Sequence, residues 1–317
     1  MRALLWDGSA VRVVDRPEPV ADGETAVVRV HLAGVCNTDL ELIKGYMGFR
    51  GVLGHEFVGT VIDGPAAWRG RRVVGEINFA CRRCATCAAG LPRHCPTRRV
   101  MGIVAADGAF ADCVAVPTAN LHAVPDGIAD EAAVFTEPLA AAFEILAQVP
   151  IEPGMSATVL GDGKLGQLAA QVLAQAGASV LVVGKHADKL ALLRRHGIET
   201  VPLDAWPRRR AALVIEATGT ADGFELATTA TEPRGTLVLK STVAARAPLD
   251  LAPLVINEIT LVGSRCGPFE PALQALADGR VDVRPLIAAR HSLRDGVGAL
   301  QHAARRGVLK VLIDAGG

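Results

Sequence analysis

The sequence has no excess of either charge: 33 Lys and Arg residues balance 33 Asp and Glu residues over 317 positions. Without a basic stripe to neutralise phosphates, nucleic acid and anionic membranes are not expected as partners. No apolar run approaches the ~20 residues of a membrane span. The stretch 1–6 is interrupted at once by Asp7-Gly8, so no signal peptide is expected. The sequence also has no internal repeat and no low-complexity segment.

Cysteine is present at seven positions, an odd number that does not suit a disulfide framework. Four of these residues are closely spaced, as Cys81, Cys84, Cys87 and Cys95. Thiolates at this spacing can close a tetrahedral shell around one zinc ion. Buried core thiols are the alternative, but the flanking arginines and histidine are poor core material. We therefore predict a structural zinc site and, without a secretory signal, a cytoplasmic location.

A second possible metal set is dispersed along the chain, as Cys36, His55 and Glu137. Three protein ligands leave a fourth position open for water or substrate, which a catalytic zinc requires. Spacing alone is weak support for this site. A histidine after Gly54 is often structural, and Cys36 is equally compatible with a core position.

The organisation of the chain changes at about residue 157. Before it, Gly and Pro punctuate short β-branched runs, which predicts a β-rich domain. After it, apolar strands alternate with helical patterns, which predicts a parallel sheet covered on both faces. The predicted strands are 157–160, 179–183, 213–215, 237–239, 259–262 and 308–313, and the predicted helices are 165–176, 188–196, 271–277 and 293–306.

A glycine-rich turn, 161–166, follows the first of these strands and opens the first helix. In this context the pattern predicts a dinucleotide site, because glycine lets the backbone approach the pyrophosphate at the helix N-terminus. A tight turn without nucleotide is the alternative. The residues predicted to bind the coenzyme here are Gly161, Gly163, Lys164, Leu165 and Gly166.

These motifs occur in one order, with Gly34-Val35-Cys36-Asn37-Thr38-Asp39, Gly54-His55-Glu56 and Glu137-Pro138-Leu139 around the cysteine quartet and the glycine turn. In this order they resemble the zinc-containing medium-chain dehydrogenase/reductase family, over essentially the whole chain. The resemblance implies an α/β protein with a GroES-like, β-rich catalytic domain over 1–139 and 266–317. That domain carries a structural zinc lobe at about 81–95. A Rossmann domain with a doubly wound parallel sheet is implied over 140–265.

The resemblance also assigns the catalytic zinc. Cys36 and His55 match the first two ligands of the family. Glu137 falls where alcohol dehydrogenases have a cysteine, and where polyol, glucose and threonine dehydrogenases have the Glu of a Glu-Pro-Leu motif. Glu56 matches a glutamate that can approach the metal. Whether Glu137 or Glu56 is the third protein ligand stays open at this point.

Residues around the metal receive roles in the same way. Thr38 matches the hydroxyl that relays the substrate proton, and Asp39 matches the carboxylate that orients the zinc-binding histidine. Glu41 stands where several relatives have the histidine that ends the relay, so it is a weaker candidate for that place. The segment between His55 and the quartet is shorter than in most relatives.

The implied activity is that of an NAD(P)-dependent zinc alcohol dehydrogenase of EC 1.1.1 type, which acts on a small alcohol, polyol or carbonyl substrate. Thr38 would relay the proton while a hydride passes between substrate and nicotinamide. Two alternatives are a reductase of a specialised-metabolite carbonyl and a non-catalytic nucleotide-binding zinc protein. The family suggests a homodimer or homotetramer.

The identity of the coenzyme depends on the end of the second predicted strand. NAD-dependent relatives carry Asp or Glu there, which would repel the extra phosphate of NADP. This chain has Gly184, followed by Lys185 and His186, either of which can meet a phosphate. We predict NADP in preference to NAD; the alternative is that NAD binds without its usual anchor or with Asp188 in its place. Lys310 aligns with a basic residue that often meets the pyrophosphate.

Overall fold

The computed structural model describes residues 1–242 and 249–316. Contacts divide the chain into two compact units. The first unit is Met1–Glu137 with Leu273–Ala277 and Leu286–Gly317, and the second is Pro138–Ala272 with Asp278–Pro285. The domain limits at 139 and 266 stay a prediction of the sequence.

The elements up to residue 137 are mainly strands: β1 (Arg2–Trp6), β2 (Val11–Asp15), β3 (Thr25–Gly34), β4 (Gly51–Val52), β5 (Glu56–Asp63), β6 (Arg72–Gly75), β7 (Asn78–Phe79), β8 (Arg99–Met101), β9 (Ala105–Ala106), β10 (Cys113–Pro117) and β11 (Leu121–Ala123). The helices here are short: α1 (Asn37–Leu42), α2 (Ala85–Ala88), α3 (Asp130–Ala133) and single 3₁₀ turns at Tyr46–Gly48, Pro92–His94 and Thr118–Asn120.

The rest of the chain alternates helices and strands: α4 (Thr136–Gln148), β12 (Ser156–Leu160), α5 (Lys164–Gln175), β13 (Ser179–Gly184), α6 (Ala187–Arg194), β14 (Glu199–Pro202), β15 (Ala211–Glu216), α7 (Ala221–Ala230), β16 (Thr231–Leu239), α8 (Ala252–Ile256), β17 (Thr260–Gly263), α9 (Phe269–Ala277), β18 (Ile287–Ser292), α10 (Gly296–Ala303) and β19 (Lys310–Asp314). Single 3₁₀ turns lie at Arg284–Leu286 and Leu293–Asp295.

The first unit is built on a seven-stranded sheet in the order β11-β6-β5-β3-β19-β18, with β10 also paired to β3. The long strand β3 is the centre, because it pairs antiparallel with β5, β10 and β19. A β1–β2 hairpin, joined by β4, forms a three-stranded sheet, and β7-β8-β9 forms another. The predicted β-rich, GroES-like class is confirmed.

The second unit contains a six-stranded sheet in the order β14-β13-β12-β15-β16-β17, with every neighbouring pair parallel. Numbered along the chain, this is the 3-2-1-4-5-6 order of the doubly wound fold. The central strands are continuous apolar runs, and Val159, Leu213 and Ile215 are fully buried. Because helices cover such a sheet on both faces, its strands need no polar face. The predicted Rossmann architecture is confirmed.

Helix boundaries near the end of the chain differ from those expected. The helix predicted over 293–306 is a 3₁₀ turn followed by α10, which ends at Ala303. The last strand begins at Lys310, two residues later than predicted. Among the residues that the structure describes, no helix is both long enough and apolar enough to cross a membrane.

The turn between β12 and α5 depends on tight backbone packing. Gly161 has φ of +116°, a conformation that favours glycine. A Cβ on Gly166 would meet the carbonyl group of Gly161, whereas a Cβ on Gly163 would have nothing within 4 Å. The glycine at 166 therefore brings the helix against the strand, and the glycine at 163 has no such packing role.

We expect Gly166→Ala to lower the free energy of unfolding by about 1–3 kcal/mol, because the added methyl group meets backbone that cannot yield. Gly163→Ala is the matched control and should cost less than about 1 kcal/mol. Urea unfolding of the coenzyme-free protein measures both. Equal losses in the two variants would contradict this account of the turn.

Candidate metal centres and coenzyme-binding turn

The carboxylate of Asp39 organises the first cluster of predicted site residues. Asp39 is the third residue of α1 and is fully buried. Its Oδ2 accepts a hydrogen bond from the backbone N–H of Cys36 at 2.8 Å, and its Oδ1 accepts one from the N–H of Gly54 at 3.2 Å. The one carboxylate therefore fixes two loops, which carry Cys36 and His55.

His55 is 3% exposed, and its Nδ1 lies 3.2 Å from Oδ1 of Asp39. The two atoms are close enough for an ion pair, but their geometry does not make a hydrogen bond, and Nδ1 has no hydrogen-bond partner. Burial alone would lower the pKa of His55. The negative groups Asp39 and Cys36 have the opposite and larger effect, so the pKa lies well above the usual value. With Nδ1 facing Asp39, Nε2 is the ring nitrogen suited to a metal.

Ligand atoms of Cys36, His55 and Glu56 all lie within 4.8 Å of one another. A thiolate, an imidazole and a carboxylate are the donor types that zinc takes in catalytic sites. The Oε1 atom of Glu56 is buried and has no hydrogen-bond partner. The cluster therefore fits a metal ion, because a cation would satisfy the carboxylate and hold the thiol as thiolate.

Lys310 lies beside this cluster. It is buried in β19, and its Nζ donates to Oε2 of Glu56 and, at 3.4 Å, to the carbonyl oxygen of Val35. Burial alone would lower the pKa of Lys310. The negative groups Glu56, Cys36 and Glu137 have the opposite and larger effect, so the pKa is raised and the ammonium is charged. The predicted contact of Lys310 with pyrophosphate stays a prediction. The sequence analysis did not predict the ion pair between Lys310 and Glu56. A lysine at the start of an apolar strand was the one sign in the sequence that this side chain is buried and needs a partner.

Glu137 is the second residue of α4 and is half-buried. Its charge contributes to the raised pKa of Lys310. The group whose ligand atoms lie within 4.8 Å of one another contains Glu56 and not Glu137. The charges of both carboxylates therefore act on Lys310.

The two predicted relay residues lie on α1. Thr38 is half-buried, and its Oγ1 is 3.7 Å from the sulfur of Cys36. Glu41 is one turn further along, where its carboxylate accepts a hydrogen bond from the exposed Lys44 at 2.8 Å. The helix thus carries a hydroxyl beside the ligand cluster and a carboxylate paired at the surface.

The four clustered cysteines meet as predicted: Cys81, Cys84, Cys87 and Cys95 have ligand atoms within 4.8 Å of one another. Sulfur–sulfur distances are 3.5 Å for 84–87, 3.6 Å for 81–95 and 3.9 Å for 84–95. Tetrahedral zinc with Zn–S bonds of about 2.3 Å separates its sulfurs by about 3.8 Å. The quartet therefore has the dimensions of a closed zinc shell.

The thiols of the quartet differ in acidity: burial and the neighbouring thiols raise the pKa of Cys87 to about 12, whereas that of Cys95 is lowered. The Thr97 hydroxyl and the backbone N–H of Cys81, each 3.5 Å from the sulfur of Cys95, help lower the pKa of that thiol to about 6. Thiolate is the form that binds zinc. The short helix α2 lies between Cys84 and Cys95 and presents Cys87 to the same point.

The predicted coenzyme residues of the second unit lie at two adjacent strand ends. The turn 161–166 follows β12, and Gly184 ends β13, which pairs parallel with β12. Lys185 is exposed and the side chain of His186 is 37% exposed. The structure adds Asp162 to this set, which sequence reasoning missed. Its carboxylate accepts hydrogen bonds from the backbone N–H groups of Lys185 and His186 at 2.7 Å each.

Two stretches of the chain match known domain families. Residues 22–126 match the alcohol dehydrogenase GroES-like domain, and residues 165–278 match the zinc-binding dehydrogenase domain. The chain is 30% identical to an L-threonine 3-dehydrogenase from Streptomyces avermitilis, covering 99% of each chain. It is 28% identical to a sorbitol dehydrogenase from Halalkalibacterium halodurans, covering 95% of this chain and 94% of the relative.

Among solved structures, the chain resembles a zinc-binding dehydrogenase from Sinorhizobium meliloti 1021 that was crystallised with NADP. The TM-score is 0.89 at 27% sequence identity, over 99% of this chain and 98% of the other. The likeness therefore extends over both units and not over one domain alone.

Proposed function

Because the chain belongs to the zinc-containing medium-chain dehydrogenase/reductase family, we propose that it moves a hydride between NADP(H) and an alcohol or carbonyl group of a polyol-like substrate. It is a zinc-dependent oxidoreductase of the alcohol dehydrogenase type. The observation that carries the proposal is the Cys36–His55–Glu56 cluster beside Asp39, in which His55 and Glu56 are buried and Cys36 is half-buried. A panel of polyols and secondary alcohols, with the coenzyme's absorbance as the signal, tests the substrate class.

We assign the catalytic zinc to Cys36, His55 and Glu137, with Glu56 as the carboxylate that can approach the metal. The pairing of Glu56 with Lys310 supports this choice, because that carboxylate already has a counter-charge. We assign catalysis to the domain at 1–139 and 266–317, and coenzyme binding to 140–265.

Zinc, when bound, supplies a Lewis acid for the substrate oxygen, and the nicotinamide takes or returns the hydride. The residues of the chain do the rest. Thr38 takes the hydroxyl proton of the substrate and passes its own outward, with Glu41 as the outer end of the relay. Asp39 orients His55 through the Nδ1 side of its ring, and Lys310 neutralises the charge of Glu56.

We also propose a homodimer or homotetramer in the cytoplasm. None of the seven cysteines forms a disulfide in the part of the chain that the structure describes, and thiolate ligand sets persist in a reducing compartment.

Among the described residues, the strand β17 is at the edge of its sheet, and the neighbouring helix α8 exposes Val255 and Ile256, each 77% accessible. An open strand edge with exposed apolar side chains is suited to pairing with a second copy. Light scattering after gel filtration should show a multiple of the chain mass, and Ile256→Glu should reduce it; a wild-type monomer would contradict the proposal.

Metal analysis should find two zinc ions per chain, one in each ligand set. Cys84→Ser should lose the structural ion with much of the thermal stability, because structural zinc contributes on the order of 10 kcal/mol to folding in small domains. Cys36→Ser should keep the fold and one zinc and lose activity. Cys113→Ala, at a buried thiol outside both sets, is the control that keeps both ions. One zinc or none in carefully prepared wild type would count against two sites.

Replacement of the relay hydroxyl should slow turnover. Thr38→Ala should lower kcat roughly 10²–10⁴-fold, the usual range for general acid–base transfer, whereas Thr38→Ser should have a mild effect. Asn37→Ala, at the exposed neighbour on α1, is the control. Steady-state rates across pH measure the effect. A Thr38→Ala enzyme that matches wild type at every pH would exclude the role.

Coenzyme preference is checked by the ratio of kcat/KM for NADP and NAD. Lys185→Ala should lower kcat/KM for NADP by about 10–150-fold, the equivalent of the ~1.5–3 kcal/mol of a charge-assisted hydrogen bond. The same change should leave NAD nearly unaffected. Arg195→Ala, at an exposed cation at the end of α6, controls for net charge. A wild type that prefers NAD would refute the proposed preference.

A further inference from the structure

Gly184 occupies the place where an NAD-type carboxylate is expected, and the structure shows why it is glycine. A Cβ on residue 184 would lie 2.5 Å from Oδ2 of Asp162 and 2.6 Å from its Cβ. Real side chains do not approach so closely, so a carboxylate at 184 and the one at 162 exclude each other. The acidic group at this end of the sheet comes from the glycine turn instead of from the strand.

The carboxylate of Asp162 is 7% exposed and is used almost completely by its own chain. Its Oδ2 accepts from the N–H groups of Lys185 and His186, both at 2.7 Å. Nδ1 of His186 lies 3.0 Å from Oδ1, and the buried Nζ of Lys189 is 3.9 Å from the same atom. A carboxylate oxygen with two short N–H bonds has no lone pair left for a ribose hydroxyl.

Two roles for Asp162 follow from its position. As a ribose ligand it would favour NAD and oppose NADP, as strand-end carboxylates do. As an internal anchor it would fix the backbone at 185 and 186, from which two potential phosphate partners extend. The occupied Oδ2, the burial and the nearby Lys189 ammonium favour the anchor, because the negative charge is offset within the protein.

We infer that Asp162 is a positioning residue for coenzyme selection, which holds the 184–186 segment so that Lys185 and His186 can bind the ribose phosphate of NADP. The inference rests on the proposed NADP preference. Asp162 itself makes no contact with the phosphate. Gly184 is part of the same arrangement, since any side chain at position 184 would displace the carboxylate of Asp162.

Calorimetric titration with 2′,5′-ADP and 5′-AMP separates the two roles without turnover, because only the first probe carries the additional phosphate. Asp162→Ala should weaken 2′,5′-ADP binding at least tenfold and 5′-AMP binding less than twofold. Asp162→Asn keeps one acceptor oxygen and should be intermediate. Glu199→Gln removes an exposed carboxylate at the start of β14 and should match wild type.

Tighter binding of 2′,5′-ADP by Asp162→Asn, or equal weakening of both probes by Asp162→Ala, would overturn the inference in favour of a ribose ligand. Amide hydrogen exchange at Lys185 and His186 provides a readout without any coenzyme. Both amides should be protected in wild type and should exchange at least tenfold faster in Asp162→Ala. Unchanged exchange would also overturn the anchor. Equal binding of both probes by wild type would refute the NADP preference, while the exchange result still decides the anchor.

A relocated carboxylate gives the strictest comparison. Gly184→Asp alone should lower the melting temperature and weaken both probes, because two acidic side chains compete for one space. Asp162→Ala/Gly184→Asp should recover stability and bind 5′-AMP more tightly than 2′,5′-ADP. Additive effects of the two substitutions would contradict the mutual exclusion.

Discussion

Two buried carboxylates that accept backbone N–H groups hold the chain segments that carry most of the predicted site residues. Asp39 accepts hydrogen bonds from the amides of Cys36 and Gly54, which are 18 residues apart in the sequence, and so holds two segments of the chain together. A buried charge of this kind is costly unless its hydrogen bonds are complete. Because the amides belong to rigid backbone, the bonds that offset the burial also fix the ligand positions.

The same device occurs in the second unit, where Asp162 bonds the amides of two consecutive residues. In both places the carboxylate comes from the start of a helix: Asp39 lies in the first turn of α1, and Asp162 lies in the turn just before α5. A helix N-terminus carries unpaired N–H groups and a positive dipole end, so an anion there is stabilised. In the roles proposed for Asp39 and Asp162, the acidic side chain shapes the backbone and is not itself the ligand.

Much of the architecture could be predicted from the sequence, because local patterns determine it. Continuous apolar strands, the helix after the glycine turn and the cysteine spacing each depend on residues close together in the chain. The contact between Lys310 and Glu56 could not be predicted, since it joins residues 254 positions apart. The hydrogen bonds of Asp162 were missed for a related reason: the acceptor and donors lie on different strand ends, and strand order is not visible in the sequence.

Charge balance around the ligand cluster bears on the choice between the two glutamates. Lys310 and Glu56 are both buried and neutralise each other. If a metal drew Glu56 away, the lysine would remain buried without its partner, and breaking a buried pair in this way costs about 3–5 kcal/mol. A dipositive ion held by the Cys36 thiolate would need one more negative ligand for neutrality, and in the proposed assignment Glu137 would supply it while the Lys310–Glu56 pair stays intact. Under the proposed assignment Glu56, whose Oε1 has no hydrogen-bond partner, would be a reserve donor, and its ion pair with Lys310 would oppose its movement to the metal.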